Sequence, residues 1–260
     1  MISVVVPVLD EEELLEGTLR SLRRQTFRDF ELLVVDNGST DRSPQIAARL
    51  ADRMLVEPQR GALWAMHRGF REARGDLIAC GDADTIYPRL WLERMVQALL
   101  EPGTVAAYGP MGFRESPRAL RPLDAGAYCV VVALSRLGRV HLAGAANFGM
   151  RREAYFAVGG YPTYEGRASP DFRLALALEG VGRVRFVPTM PCYTSNRRFV
   201  RAGRVRAAGE AFRYWLDVAS GADRIPAERY WSVPHRSHDC RKSKERGGSV
   251  SQSRPSPPSG

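Results

Sequence analysis

The chain has 260 residues, of which 44% are hydrophobic and 26% are charged, and its net charge is +9. These proportions are ordinary for a globular protein and exclude a collagen-like or low-complexity chain. No apolar run approaches the roughly 18 residues of a membrane-spanning helix, and the N-terminus lacks the basic flank and long apolar stretch of a signal peptide. We therefore expect a cytoplasmic protein, and the length suits one large α/β domain or two small ones.

The positive charge is unevenly distributed along the chain. Residues 234–260 hold six basic and two acidic residues, and so carry four of the nine net charges. Ser, Pro, Gly and Arg dominate this stretch without apolar periodicity, which predicts a disordered basic tail after a short extension at 221–233. The modestly basic remainder suits phosphate-bearing substrates or an anionic membrane surface, and no motif supports nucleic-acid binding. The four scattered cysteines predict neither a zinc site nor disulfides.

The first hundred residues alternate between strand-like and helix-like segments. Short β-branched apolar runs predict strands, and apolar residues at helical spacing predict helices. The predicted strands are 2–8, 31–36, 53–57 and 76–80, and the predicted helices are 11–25, a segment from about Pro44, 61–74 and 89–100. This order predicts an α/β fold with a mainly parallel central sheet and helices on both faces.

The second half is less regular. Strands are predicted at 104–108, 147–150, 184–187 and 192–194, helices at 126–140, 151–158, 171–178 and 207–219, a loop at 117–122 and a turn at 159–162. The segment 126–140 is apolar and carries two arginines. It is either a packing helix or a surface where a lipid-linked acceptor docks at a membrane, and both interpretations stay open.

Two carboxylates, Asp82 and Asp84, follow the fourth predicted strand. Mg²⁺ and Mn²⁺ prefer oxygen ligands and commonly join one or two carboxylates to substrate phosphates. In parallel sheets, ligands bind outside the carboxyl ends of the strands, where Asp10 and Asp36 are also expected. The sequence therefore predicts a cleft for a divalent metal and a diphosphate. The alternative is a solvated loop end, because aspartate is common in turns.

Several segments together resemble family 2 glycosyltransferases, an inverting group with the nucleotide-sugar-binding GT-A fold. The resemblance spans residues 2–199. Its parts, in family order, are Val4-Val5-Val6-Pro7 with Glu11-Glu12, residues 33–41 ending in Asp36-Asn37-Gly38-Ser39-Thr40-Asp41, Arg60-Gly61, Asp82-Ala83-Asp84, residues 147–152 with Gly159-Gly160-Tyr161, and Asp171 with Leu174 and Leu178. It implies a single GT-A domain with a donor-binding half at 1–110 and an acceptor-binding half at 111–220.

The resemblance also implies ligands and roles. Asp36 would contact the base or ribose of the nucleotide, and Asp84 together with Asp82 would bind the Mg²⁺ or Mn²⁺ that holds the diphosphate. UDP- and GDP-sugars are the expected donors, and a glycan or a lipid-linked molecule is the expected acceptor, reached through a peripheral contact at the inner face of the membrane. The residues implied to bind the nucleotide sugar are Pro7, Leu9, Glu11, Asp36, Gly38, Ser39, Arg60, Gly61, Asp82, Ala83, Arg197 and Arg198.

Asp171 would, by the same resemblance, be the general base that takes a proton from the acceptor hydroxyl. Pro170 stands where the family usually has Glu, and Arg173 where it often has an acid. Asp171 is otherwise an ordinary first-turn helix residue, and Glu165 is the next candidate base. Two other functions stay open: a non-catalytic nucleotide- or glycan-binding protein on the same scaffold, and a nucleotidyltransferase, although residues 8–11 lack the glycine-rich basic loop expected of that class.

Overall fold

The computed structural model describes residues 1–137, 140–164, 166, 169–197, 200 and 204–221. Its strands are β1 Ile2–Val8, β2 Phe30–Asp36, β3 Arg53–Val56, β4 Leu77–Cys80, β5 Thr104–Tyr108, β6 Met111–Phe113, β7 Phe148–Arg151, β8 Arg183–Phe186 and β9 Cys192–Thr194. Its α-helices are α1 Leu15–Arg23, α2 Ser43–Leu50, α3 Ala62–Glu72, α4 Trp91–Leu100, α5 Arg121–Leu137, α6 Arg152–Ala157, α7 Pro170–Glu179 and α8 Arg204–Ala219. Short 3₁₀ turns cover Ala145–Asn147 and Tyr161–Tyr164.

Within the described residues, the main sheet has seven strands in the order β3-β2-β1-β4-β7-β5-β8. β7 runs antiparallel to both of its neighbours, whereas the other pairs are parallel. The predicted mainly parallel sheet is therefore confirmed. Because β7 comes from the second half of the chain and lies between β4 and β5, the two halves share one sheet.

Alternation along β1 explains why helices cover both faces of the sheet. Val4 and Val6 pack in one core with α1, α2 and α4, whereas Val5 packs in the opposite core with α3, α6 and α7. Successive side chains of a strand point to opposite faces, so a strand that is apolar at nearly every position must be buried on both sides. The continuous apolar run in the sequence was the correct signal for this arrangement.

The structure corrects several predicted boundaries. α1 begins at Leu15 rather than at residue 11, and residues 12–14 form a turn in which the N–H groups of Leu14 and Leu15 donate to the Glu11 carbonyl. The predicted loop at 117–122 was wrong at its end, because α5 already begins at Arg121. The helix predicted at 126–140 therefore spans Arg121–Leu137 instead. Pro122 is compatible with this start, since proline is tolerated in the first turn of a helix.

One strand was missed. β6 has three residues, too few for a periodic pattern, and it forms a second, two-stranded sheet with β9. In the described part of the chain, no helix is both long enough and apolar enough to cross a membrane. The predicted extension and tail, from residue 222 onward, lie outside the described residues.

The carboxyl ends of β1, β2 and β4 meet at one edge of the sheet. Val8 pairs with Asp36 at the ends of β1 and β2, and Cys80 at the end of β4 pairs with Val5. The loops that follow these strands therefore converge, as the parallel topology requires, and they carry the acidic residues predicted to form the cleft.

Candidate active site

The loops after β1 and β2 are held together by side chain to backbone hydrogen bonds. Asp10, whose φ of 51° lies in the left-handed region, accepts a bond from the Thr40 N–H at 2.7 Å, and its own N–H donates to Ser39 Oγ at 3.1 Å. Asp41 accepts from the N–H groups of Glu12 and Ser43. Burial alone would raise the pKa of Asp41, but these hydrogen bonds outweigh burial and lower it. The loops after β1 and β2 are thus preorganised.

Asp36 closes the turn after β2. Its buried carboxylate accepts the N–H groups of Gly38 at 3.2 Å and Ser39 at 3.2 Å. Gly38 has a φ of 87°, a conformation that L-residues with a side chain rarely adopt. A carboxylate has about four lone-pair sites, so Asp36 keeps acceptor capacity for a nucleobase N–H or a ribose hydroxyl.

Asn37, which sequence reasoning did not single out, brings the predicted Arg60-Gly61 segment to this turn. Its Nδ2 donates to the carbonyl oxygens of Glu57 and Gln59, both at 2.8 Å, and its Oδ1 accepts the Gly61 N–H at 2.7 Å. The three hydrogen bonds fix the start of α3 beside the β2 loop. Asn37 follows Asp36 in the turn motif, and that position was the available signal.

The Asp82-Ala83-Asp84 loop is fastened from both halves of the chain. The Asp82 N–H donates to Tyr87 Oη at 3.0 Å, and the Ala83 carbonyl accepts from Thr18 Oγ1 of α1 at 2.8 Å. From the second half, the Arg114 guanidinium donates to the Asp84 carbonyl at 2.9 Å, and Thr194 Oγ1 donates to Asp84 Oδ1 at 3.1 Å. A solvated loop end would not be held in this way.

Arg197 joins two acidic residues that sequence reasoning had placed in different fragments. A single guanidinium nitrogen, Nη2, lies 2.7 and 2.8 Å from the two carboxylate oxygens of Glu11 and 3.1 Å from Asp84 Oδ2. Burial alone would lower the pKa of Arg197, but the hydrogen bonds and charges of Glu11 and Asp84 outweigh burial and raise it. The point between these carboxylates therefore favours positive charge.

The segment that carries Arg197 is hydrogen-bonded to the residues that follow the Asp82-Ala83-Asp84 loop. Tyr193 and Ile86 exchange backbone hydrogen bonds at 2.8 and 3.0 Å, which ties β9 to the residues that follow Asp84. Glu115 accepts from Ser195 Oγ at 3.0 Å and from the Asn196 N–H at 2.9 Å. We call residues 192–197 the strap. Its supporting residues were not predicted, because no local pattern marks a contact between segments so far apart.

Asp171, in the first turn of α7, is tied to the end of β4. Its Oδ1 accepts from Tyr161 Oη at 2.7 Å and its Oδ2 accepts the Ala145 N–H at 3.2 Å. Tyr161 Oη lies 3.7 Å from the sulfur of Cys80, two residues before Asp82. Burial, reinforced by the charge of Asp171, raises the pKa of Tyr161 well above its ordinary value, so this phenol stays a hydrogen-bond donor.

The remaining predicted residues are placed as follows. Pro7 lies in β1 opposite Val35, and Leu9 follows the end of that strand. The Arg60 side chain packs on Gly38, because a Cβ added at Gly38 would lie only 3.6 Å from its guanidinium carbon. Arg198 and the alternative base Glu165 lie outside the described residues.

The donor set at the acidic loop fits a hard divalent cation. Glu11 and Asp84 already hold a positively charged nitrogen between three carboxylate oxygens, and Asp82 lies on the same loop. In the described part of the chain, no group of three or more His, Cys, Asp or Glu side chains could hold a metal ion by itself. A metal at this loop would need further ligands from substrate phosphates, as Mg²⁺ commonly has.

Residues 3–158 match the family model described as glycosyl transferase family 2. The chain belongs to glycosyl transferase family 2. The resemblance inferred from the sequence motifs is therefore confirmed. Membership of this family argues against the alternative of a nucleotidyltransferase.

The curated relatives of this chain match it over part of its length. The glycosyltransferase AglE of Haloferax volcanii is 25% identical over 171 residues, which are 63% of this chain and 56% of AglE. An undecaprenyl-phosphate 4-deoxy-4-formamido-L-arabinose transferase of Photorhabdus laumondii is 36% identical over 107 residues, 37% of this chain and 33% of that enzyme. The chain thus spans about half of the first relative and a third of the second.

Solved structures confirm the GT-A fold. The mannosyltransferase PcManGT of Pyrobaculum calidifontis, in complex with GDP-Man and Mn²⁺, has a TM-score of 0.67 and 26% identity, covering 84% of this chain and 63% of PcManGT. The glucosyl-3-phosphoglycerate synthase of Mycobacterium tuberculosis has a TM-score of 0.53 and 22% identity, covering 85% of this chain and 80% of the synthase. The second likeness bears on the fold alone.

Proposed function

We propose that this chain is a metal-dependent inverting glycosyltransferase that moves a hexosyl or related group from a nucleoside-diphosphate sugar to an acceptor hydroxyl or a lipid phosphate. The observation that carries the proposal is the meeting of Glu11, Asp84 and Arg197 beside the Asp36 turn. Carboxylates that prefer a cation, and an arginine that can contact a diphosphate, are both needed to bind such a donor.

Asp84, with Asp82, would hold the Mg²⁺ or Mn²⁺. When bound, the ion acts as a Lewis acid that offsets the charge on the departing nucleoside diphosphate. Asp36 accepts hydrogen bonds from the nucleoside, and the fixed turns around Gly38 and Gly61 shape its pocket. Arg197 exchanges its contact with Asp84 for the donor diphosphate, while Glu11 keeps its guanidinium close to the cleft.

Asp171 is proposed as the general base for a hydroxyl acceptor. Tyr161 and the Ala145 N–H orient its carboxylate. The acceptor oxygen forms a bond to the anomeric carbon while the bond from that carbon to the diphosphate oxygen breaks on the opposite face. The acceptor proton goes to Asp171, and the configuration at the anomeric carbon is inverted. Such a base contributes a factor of about 10² to 10⁴ in rate.

Donor and acceptor classes follow from the relatives. PcManGT was solved with GDP-Man and Mn²⁺, which supports a GDP-sugar as one candidate donor beside a UDP-sugar. A relative named for transfer to undecaprenyl phosphate supports a lipid-linked acceptor and, with it, a peripheral contact at the inner face of a membrane. A cytoplasmic location remains a prediction made from the sequence.

A panel of UDP- and GDP-sugars with Mn²⁺ or Mg²⁺ tests the proposal. We expect nucleoside diphosphate release for one donor, thermal stabilisation by the same donor, and loss of both on addition of EDTA. Thermal stabilisation by a donor, without nucleoside diphosphate release with any acceptor tested, would indicate a non-catalytic binding protein on the same scaffold. Release that is equal with and without EDTA would remove the metal from the mechanism.

A further inference from the structure

Asp84 lies in a closed ring of hydrogen bonds with two residues from the second half of the chain. Its carbonyl oxygen accepts from the Arg114 guanidinium at 2.9 Å, and the backbone N–H of Arg114 donates to the Thr194 carbonyl at 2.9 Å. Thr194 Oγ1 donates to Asp84 Oδ1 at 3.1 Å, which closes the ring. The ring therefore holds both the main chain and the carboxylate of Asp84.

The pairing of β6 with β9 places Arg114 and Thr194 for these bonds. Phe113, the last residue of β6, is in register with Thr194, the last residue of β9, so Arg114 follows directly beside the threonine. The Arg114 guanidinium also lies against α1, because a Cβ added at Gly17 would be 3.6 Å from its Nη2. The ring is thus anchored in a strand pair and a helix.

The two carboxylate oxygens of Asp84 have different partners. Thr194 donates to Oδ1, and Thr85 Oγ1 lies farther from the same oxygen, at 3.4 Å. Arg197 Nη2 lies 3.1 Å from Oδ2. Rotation about the last side-chain bond of an aspartate is only weakly restricted, so the carboxylate needs a partner to keep one orientation. The Thr194 hydroxyl supplies it and leaves Oδ2 facing the positive charge of Arg197.

We propose that Thr194 is a positioning residue for the metal ligand Asp84, and that its hydroxyl holds the carboxylate with Oδ2 presented to the cation. This inference rests on the proposed function, in which Asp84 binds Mg²⁺ or Mn²⁺. Hydrogen bonds from neighbouring residues orient the side chains that bind a metal, and removing one typically costs about 10- to 100-fold in metal affinity or activity.

A purely structural role of the strap would change the metal affinity in the opposite direction. The strap also carries Arg197, whose guanidinium contacts Asp84. A substitution that only loosened the strap would free Asp84 from this positive charge, and its affinity for a cation would stay equal or rise. Loss of the carboxylate orientation would lower that affinity. The sign of the change therefore separates the two roles.

Titration of the full chain with Mn²⁺, followed by the EPR signal of the unbound ion, measures this affinity without any turnover. The test variants are Thr194→Val and Thr194→Ala, which lack the hydroxyl, and Thr194→Ser, which keeps it; valine also suits a strand. Ser195→Ala is the matched control. Within the described residues, Ser195 Oγ donates to Glu115 at 3.0 Å and accepts the Arg197 N–H at 3.3 Å, so this change loosens the strap without removing a bond to Asp84. Melting temperatures verify that each variant is folded.

We expect Thr194→Val and Thr194→Ala to bind Mn²⁺ about tenfold more weakly than the wild type, and Thr194→Ser to bind it as the wild type does. Ser195→Ala should bind Mn²⁺ no more weakly than the wild type. Unchanged or tighter binding by the two variants without the hydroxyl overturns the proposal, as does an equal loss in Thr194→Ser or Ser195→Ala. A wild type that does not bind Mn²⁺ would refute the metal dependence of the proposed function and this proposal with it, whereas Mn²⁺ binding that ignores the Thr194 hydroxyl refutes the positioning role alone.

Discussion

Asp84 is the proposed metal ligand, so we expect Asp84→Ala to abolish turnover and metal-dependent donor binding. The melting temperature should change little, because the side chain is partly exposed and its hydrogen bonds within the described part of the chain go to Thr85, Thr194 and Arg197. Calorimetry with donor and Mn²⁺ measures the binding, and Asp29→Ala, an exposed aspartate paired with the N-terminal amine, is the control. Unfolding of the Asp84 variant would indicate a structural role.

Arg197 contacts Asp84, the proposed metal ligand, so we expect Arg197→Gln to bind Mn²⁺ alone more tightly. Two opposite charges about 3 Å apart near a protein surface interact by several kcal/mol, which makes a gain of at least about tenfold in affinity reasonable. The affinity for the nucleoside diphosphate at saturating metal should fall, because a diphosphate contact is lost.

Titration with Mn²⁺ in the absence of nucleotide separates these two effects. Arg206→Gln, which removes an exposed arginine paired with Glu210 in α8, is the matched control. Unchanged or weaker Mn²⁺ affinity in Arg197→Gln would show that the cation does not take the place of the Arg197 guanidinium at Asp84.

Asp171→Asn keeps the size of the side chain but removes the proton acceptor, so turnover with a hydroxyl acceptor should fall by about 10² or more at unchanged donor affinity. With a lipid phosphate acceptor the attacking oxygen is already ionised, and the loss should be small. Comparing both acceptors by initial rates therefore identifies the acceptor class. Full activity on hydroxyl acceptors would place the base elsewhere, with Glu165 next. Lost donor affinity would assign Asp171 to the donor pocket.

At the scale of elements, α8 is joined to α7 by a buried ion pair. Arg173 Nη2 lies 2.7 Å from Asp217 Oδ2, and the two side chains are only 10% and 5% exposed. This contact gives Arg173 a structural partner in α8. Removing one partner of a buried pair leaves an uncompensated charge, which typically costs about 3–5 kcal/mol of unfolding free energy.

Arg173→Met should therefore lower the unfolding free energy by about 3 kcal/mol, and the double variant Arg173→Met with Asp217→Leu should recover most of it. Urea unfolding measures both. Arg20→Met is the control, because its ion pair with Glu16 is exposed and exposed pairs contribute about 0–1 kcal/mol. An equal cost for Arg173→Met and Arg20→Met would show that the pair does not hold α8.

At the scale of the whole molecule, removing residues 234–260 should leave turnover on a water-soluble acceptor nearly unchanged. Their composition lacks the apolar residues that would stabilise a folded segment. They carry four of the nine net positive charges, so vesicle binding should weaken, most clearly at low salt where surface charges are least screened. A large fall in melting temperature on truncation would contradict this prediction.

The sequence alone was sufficient for the strand and helix order apart from β6, for the family, and for the residues that follow the strand ends. These features are local: apolar periodicity decides the elements, and parallel topology brings Asp36 and Asp84 to one edge of the sheet. Helix ends were less predictable, because the turn at residues 12–14 that precedes α1 is held by contacts with a loop about 30 residues away in the chain.

Only the tertiary structure decided how the site is assembled. Arg197 and Glu11 are 186 residues apart in the chain, and Thr194 and Asp84 are 110 apart, yet both pairs are in contact. The strap reaches Asp84 through a three-residue strand pair and a carboxylate on Glu115, neither of which has a local sequence signature. Local patterns report which face of an element is buried, whereas contacts between distant segments depend on how the elements pack. The motifs therefore identified acidic residues that follow the strand ends, and the packing determined which charges meet there.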